Sequence, residues 1–229
     1  MATARGPARA AKVIAKRGLS QPNPAPFVAA GEIPLLFLDA NILLTQYVRS
    51  VFLDIADAGL CRVYWSDQVL AEVRRNLLKP KYGKTSVDID RLFNDMQQAF
   101  PDALVQGWQQ YEPQFADKTD DKDAHVAAGA LKLSKDVYGG QQTVLVTSNI
   151  THLPQTAFAG SQIRSGKPGT VLKDLLAAQP SVADVLVRML ERFRRPQVTR
   201  QDLLDVLDRS QCGVFATALG EAWGFRSER

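Results

Sequence analysis

Residues 35–39 read Leu35-Leu36-Phe37-Leu38-Asp39. Four apolar residues in an unbroken run, stopped by a carboxylate, mark a strand buried on both faces of a parallel sheet, since such a strand meets water on neither side. Beyond it, Leu44, Val48, Phe52 and Ile55 recur at spacings of three and four, which predicts a helix from Asn41 to Ala58 with Gly59 as its stop. Arg62-Val63-Tyr64-Trp65 is the second strand, and Ser66 stands where it can cap a helix with the stripe Val69, Val73, Leu77, ended by Pro80. A helix from Val87 to Phe100, a short strand from Ala103 to Val105, a polar loop from Tyr111 to Asp121 and a helix from Asp121 to Leu133 follow. Thr143-Val144-Leu145-Val146-Thr147 is a β-branched strand after the Gly139-Gly140 turn. Strands alternating with helices imply an α/β fold: three layers, α/β/α, around a central parallel sheet.

Composition agrees with a globular protein: of 229 residues, 45% are hydrophobic and 23% charged, enough to bury a sizeable core. The first 19 residues hold Arg5, Arg9, Lys12, Lys16 and Arg17 and no acid; removing those five from the 28 basic residues leaves 23 against 24 acids. The basic character therefore belongs to a tail, suited to holding phosphate backbone or to acting as a transit peptide. Pro22, Pro24 and Pro26 at alternate positions favour an extended linker after it, so residues 1–31 read as a flexible tail. Residues 32–162 form the α/β domain and 163–229 a small helical extension, in which Thr199-Arg200-Gln201-Asp202 has the form of a capping box. No run reaches the ~20 apolar residues of a membrane span. Cys61 and Cys212 form no metal or disulfide pattern, which suggests a reducing, cytoplasmic setting.

Ligands of open parallel sheets bind beyond the carboxyl ends of the strands, and four polar residues lie there or near there. Asp39 follows the first strand, Asn149 the last, Asp123 opens the preceding helix, and Glu72 borders the buried stripe of the Ser66 helix. Singly, each has an ordinary reading as a helix cap, a solvated helix residue or a turn former. Together, three carboxylates and an amide oxygen at one sheet edge would repel each other without a cation. All-oxygen ligands select hard ions such as Mg²⁺ or Mn²⁺, and such ions serve phosphodiester hydrolysis.

Four segments carry a family resemblance: Leu38-Asp39-Ala40-Asn41-Ile42-Leu43, residues 65–77 around Glu72, Asp120-Asp121-Lys122-Asp123-Ala124-His125 continuing to Ala130, and residues 144–154 around Ser148-Asn149. In this order, over residues 34 to 154, they resemble the successive motifs of PIN-domain proteins, and more narrowly the VapC-like toxins of bacterial type II toxin–antitoxin modules. Val171-Leu172-Lys173-Asp174-Leu175-Leu176 resembles the C-terminal helical extension of one branch of that family. The resemblance implies a Mg²⁺- or Mn²⁺-dependent endoribonuclease toxin that arrests growth, an RNA substrate, a cognate antitoxin protein and a homodimer. It assigns Asp39, Glu72 and Asp123 to the metal, and Asn149 to a place where many relatives carry a fourth acid. An amide oxygen is a weaker ligand, which leaves the metal count open.

Asn41, Asp120 and Thr147 are candidate supporting residues. Arg74, Arg75 and His125 are candidate RNA contacts, His125 being read as turned away from the carboxylates along the helix and so as a packing or RNA-contact residue. A phosphatase of the haloacid-dehalogenase kind would need an Asp two residues after Asp39, where this chain has Asn41. No GxxxxGK[ST] loop is present. The remaining alternative is a weakly active or inactive PIN-like module that binds RNA or protein.

Overall fold

The computed structural model describes residues 25–194 and 196–225. The basic stretch from Arg5 to Arg17 lies outside the described residues. Five strands, β1 (Leu35–Leu38), β2 (Arg62–Ser66), β3 (Leu104–Val105), β4 (Thr143–Val146) and β5 (Ile163–Gly166), form an all-parallel sheet in the order β3-β2-β1-β4-β5. Helices flank it: α1 (Ala40–Leu44), α2 (Gln46–Asp57), α3 (Asp67–Leu77), α4 (Ser86–Ala99), α5 (Ala124–Lys132), α6 (Pro168–Ala178), α7 (Val182–Arg192), α8 (Arg200–Leu207) and α9 (Gly213–Ala222). The architecture is the three-layer α/β arrangement expected, and β1 and β4, the two strands read most readily, are buried at every position.

The expected helix from Asn41 to Ala58 is broken at Thr45, whose backbone is extended (φ −86°, ψ 104°). The break lets α1 lie against α3 while α2 turns to cover β2 and receive α7 and α8. β5 was not expected. As an edge strand its middle residues, Arg164 and Ser165, are half-buried, so it lacks the apolar run that betrays a central strand. A boundary after residue 162 would cut this strand from the sheet; the purely helical part starts at Pro168. The folded chain also begins before Gly31. Val28 is buried, and the Phe27 N–H donates to Asp174 Oδ2 at 2.7 Å.

Two close approaches fix the helices. A Cβ on Gly129 of α5 would sit 2.4 Å from Phe37 Cζ, so only glycine lets α5 lie this near β1. A Cβ on Gly169 of α6 would meet Cys212 Cα at 2.8 Å, where the chain kinks between α8 and α9 through Gln211 at φ 61°. Both cysteines are buried, and burial pushes each thiol up to about 12, so they are packing residues. No helix among the described residues is long and apolar enough to cross a membrane.

Candidate metal centre

From β1 the chain adds β2 and β3 on one side, while β4 and β5 lie on the other. The connections therefore diverge between β1 and β4, and their carboxyl ends are where ligands of such sheets bind. Asp39 stands there, 4% exposed, and its N–H continues the β1–β4 pairing by donating to the Val146 carbonyl at 3.1 Å. Its Oδ1 accepts the Ala40 N–H at 2.6 Å, capping α1. Its Oδ2 accepts from Thr147 Oγ1 at 2.6 Å and from the Asn41 amide. The Asn41 Oδ1 in turn accepts the Ser148 N–H at 3.0 Å. Asn41 and Thr147, expected as supporting residues, thus hold the Asp39 carboxylate directly, and Asp39, a candidate site carboxylate, is also the cap of α1.

Burial raises the Asp39 pKa from 3.8 to about 6; bonds from Thr147 and Ala40 oppose the rise, while Glu72 and Asp123 add to it. Glu72 and Asp123 therefore each lie within electrostatic reach of Asp39. Glu72 is brought there by α3, whose first turn is fixed by Ser66 Oγ accepting the Val69 N–H at 3.2 Å. Buried Val69 and Val73 set the rotation of the helix, leaving the Glu72 side chain 31% exposed at the edge. Asp123 occupies the N-cap position of α5 but makes no capping bond, which leaves its carboxylate available. It accepts the Asn149 amide N–H at 3.0 Å, and burial raises its pKa. Asn149 therefore shows the centre its donor face; only rotation of the amide would offer the oxygen.

The expected helix start at Asp121 moves to Ala124, because residues 120–123 form a turn in which the Asp120 carbonyl accepts both the Asp123 and Ala124 N–H groups. That turn places Asp120 beside His152, with which it pairs, and Asp120, Asp123 and His152 present ligand atoms within 4.8 Å of one another, a cluster able to hold a metal ion. His152 was not singled out from sequence, since it follows the turn after β4 with no pattern of its own. His125 is not turned away. It is 6% exposed, packed against Trp108 with ring centroids 5.9 Å apart, and its Nε2 lies 3.9 Å from Glu72 Oε2, so it does not face open solvent as an RNA contact should. Arg74 is also engaged, paired with Asp90 and stacked over Phe93, whereas Arg75 is exposed. Trp65 and Trp108 belong to the core.

Among the described residues, the ligand atoms that come within 4.8 Å of one another are those of Asp120, Asp123 and His152, and Asp39 and Glu72 lie outside that group. Carboxylates are ligands of Mg²⁺ and Mn²⁺, and a divalent ion beside Asp39 would relieve the rise in its pKa. Neither curated proteins nor solved structures gave a match to the chain. Residues 168–221, α6 to nearly the end of α9, match the family model described as the VapC50 C-terminal domain, so the helical end of this chain is similar to that domain.

Proposed function

We propose that this protein is a divalent-metal-dependent endoribonuclease, the toxin of a toxin–antitoxin pair, with Asp39, Glu72 and Asp123 as its metal-binding carboxylates. The observation that carries the reading is Asp39: a carboxylate at the switch point of the sheet, held by Thr147 and Asn41 and raised in pKa by its burial, with two further carboxylates adding to the rise. The similarity of residues 168–221 to the VapC50 C-terminal domain supports the toxin assignment and, with it, an antitoxin as protein partner, RNA as substrate and action as a homodimer in the cytoplasm.

A bound Mg²⁺ or Mn²⁺ would neutralise the carboxylates and stabilise charge building on the scissile phosphate during in-line attack by water. The chain's own residues prepare that event. Thr147 and Asn41 keep one Asp39 oxygen fixed, so its geometry does not have to be organised during the reaction. Asn149 holds Asp123 in place, and exposed Arg75 and Lys79 on the Glu72 helix and its end offer positive charge to a phosphate backbone. The test is cleavage of a pool of structured RNAs with Mg²⁺, Mn²⁺ or chelator, comparing wild type with Asp39→Asn. Metal-dependent cutting that falls by roughly 10³-fold in the variant, about 4 kcal/mol of barrier, is the expected result. Cutting that survives both chelator and substitution would end the nuclease reading.

A further inference from the structure

His125 is held as a ligand is held. His125 is 6% exposed, and its Nε2 is buried with no hydrogen-bond partner among the described residues. The Trp108 ring packs beside the imidazole, ring centroids 5.9 Å apart. Trp108 cannot satisfy Nε2, since its own indole N–H donates to Asp67 Oδ1 at 2.7 Å. The group that Nε2 faces is the Glu72 carboxylate, Oε2 3.9 Å away, on a side chain 31% exposed. A buried nitrogen left without a partner is costly unless something positive or proton-donating lies between it and that carboxylate. A divalent ion shared by an imidazole nitrogen and a carboxylate meets that need.

We propose that His125 Nε2 is a nitrogen ligand of the divalent cation held by Glu72, a proposal that rests on the metal reading of the centre. A nitrogen donor shifts preference away from Mg²⁺, which favours all-oxygen octahedral surroundings, toward Mn²⁺ and other ions that accept imidazole. The chain has two histidines, His125 and His152, so the assignment can be made spectroscopically. Pulsed electron paramagnetic resonance on Mn²⁺-loaded full-length protein, with and without ¹⁵N-labelled histidine, reads imidazole nitrogen bound to manganese directly.

The expected result is histidine nitrogen coupling in wild type that persists in His152→Phe and disappears in His125→Phe. His125→Phe keeps a ring against Trp108, weakens Mn²⁺ binding at least ~10-fold and changes Mg²⁺ binding less. If His125→Phe does not fold, the labelled wild type and His152→Phe suffice, because coupling that survives loss of His152 comes from His125. Bound Mn²⁺ with no nitrogen coupling, the outcome if a water bridges Nε2 and Glu72, overturns this proposal alone. Coupling that vanishes in His152→Phe overturns it in favour of the Asp120, Asp123 and His152 cluster. Wild type that binds no Mn²⁺ overturns the metal reading and this proposal together.

Discussion

The carboxyl edge of the sheet and the helical end of the chain are built on opposite terms. At the edge, burial raises the proton affinity of Asp39, with Glu72 and Asp123 adding to the rise, and His125 Nε2 is buried without a partner among the described residues. From α6 to α9 the interior is apolar, with Leu172, Leu175, Leu186, Leu203, Phe215 and Leu219 fully buried or nearly so. The polar groups there are paired: Thr199 and Asp202 complete a capping box, and the Trp223 indole N–H donates to the Ala183 carbonyl at 3.1 Å. The two parts are joined through α2, which packs on α7 and carries the Asp54 that pairs with Arg192. One region concentrates charged and unpartnered polar groups, and the other is an apolar interior whose burial stabilises the fold.

That contrast can be broken in graded ways. Phe215→Ala should cost the most, ~3–5 kcal/mol in denaturant unfolding, because the ring is fully buried; Mn²⁺ affinity of the folded protein should stay as in wild type. A change in metal affinity would mean that the helical end acts on the centre and does not merely stabilise it. Gly129→Ala should cost up to ~3 kcal/mol, since its methyl would meet the buried Phe37 ring, and by pushing α5 from β1 it should also weaken metal binding. Unfolding midpoint and calorimetric titration read the two effects separately.

The third test uses pH. With a folded pKa of about 6 against an ordinary 3.8, native Asp39 binds more protons than the unfolded chain across this window, so metal-free stability falls as pH rises through it. From pH 4.5 to 7.5, with chelator present, wild type should lose about 2 kcal/mol more than Asp39→Asn, using 1.36 kcal/mol per pKa unit. Equal pH slopes in the two proteins would show that Asp39 is not under this strain. Thr199→Ala should have the smallest effect, ~1 kcal/mol from the exposed cap of α8, with no change at the carboxylates.

The sequence displayed the sheet and the carboxylates because both leave local marks. Buried central strands write unbroken apolar runs, as at Leu35–Leu38 and Thr143–Val146, and an acid straight after such a run stands out. β5 left no such mark, because its residues face the interior only in part. The break at Thr45 is set by what α1 and α2 pack against, and the apolar period continues through it undisturbed. His125 packs in the interior, one of its two expected roles, but its direction differs from expectation for a related reason. Two positions along a helix from Asp123 points a side chain away from that residue, but Glu72, 53 positions earlier, arrives on the side it turns to. Contacts between distant segments decide such cases.

One hydroxyl ties the two ends of the carboxylate centre. Thr147 Oγ1 donates to Asp39 at 2.6 Å and accepts the Asn149 N–H at 2.9 Å, while the Asn149 side chain donates to Asp123. Asp39 and Asp123, 84 positions apart in the chain, are therefore joined by a continuous path through Thr147 and Asn149, two positions apart in one loop. In evolutionary terms such a path restricts drift: replacing Thr147 disturbs both carboxylates at once, so Asp39, Thr147, Asn149 and Asp123 should change as a set or not at all.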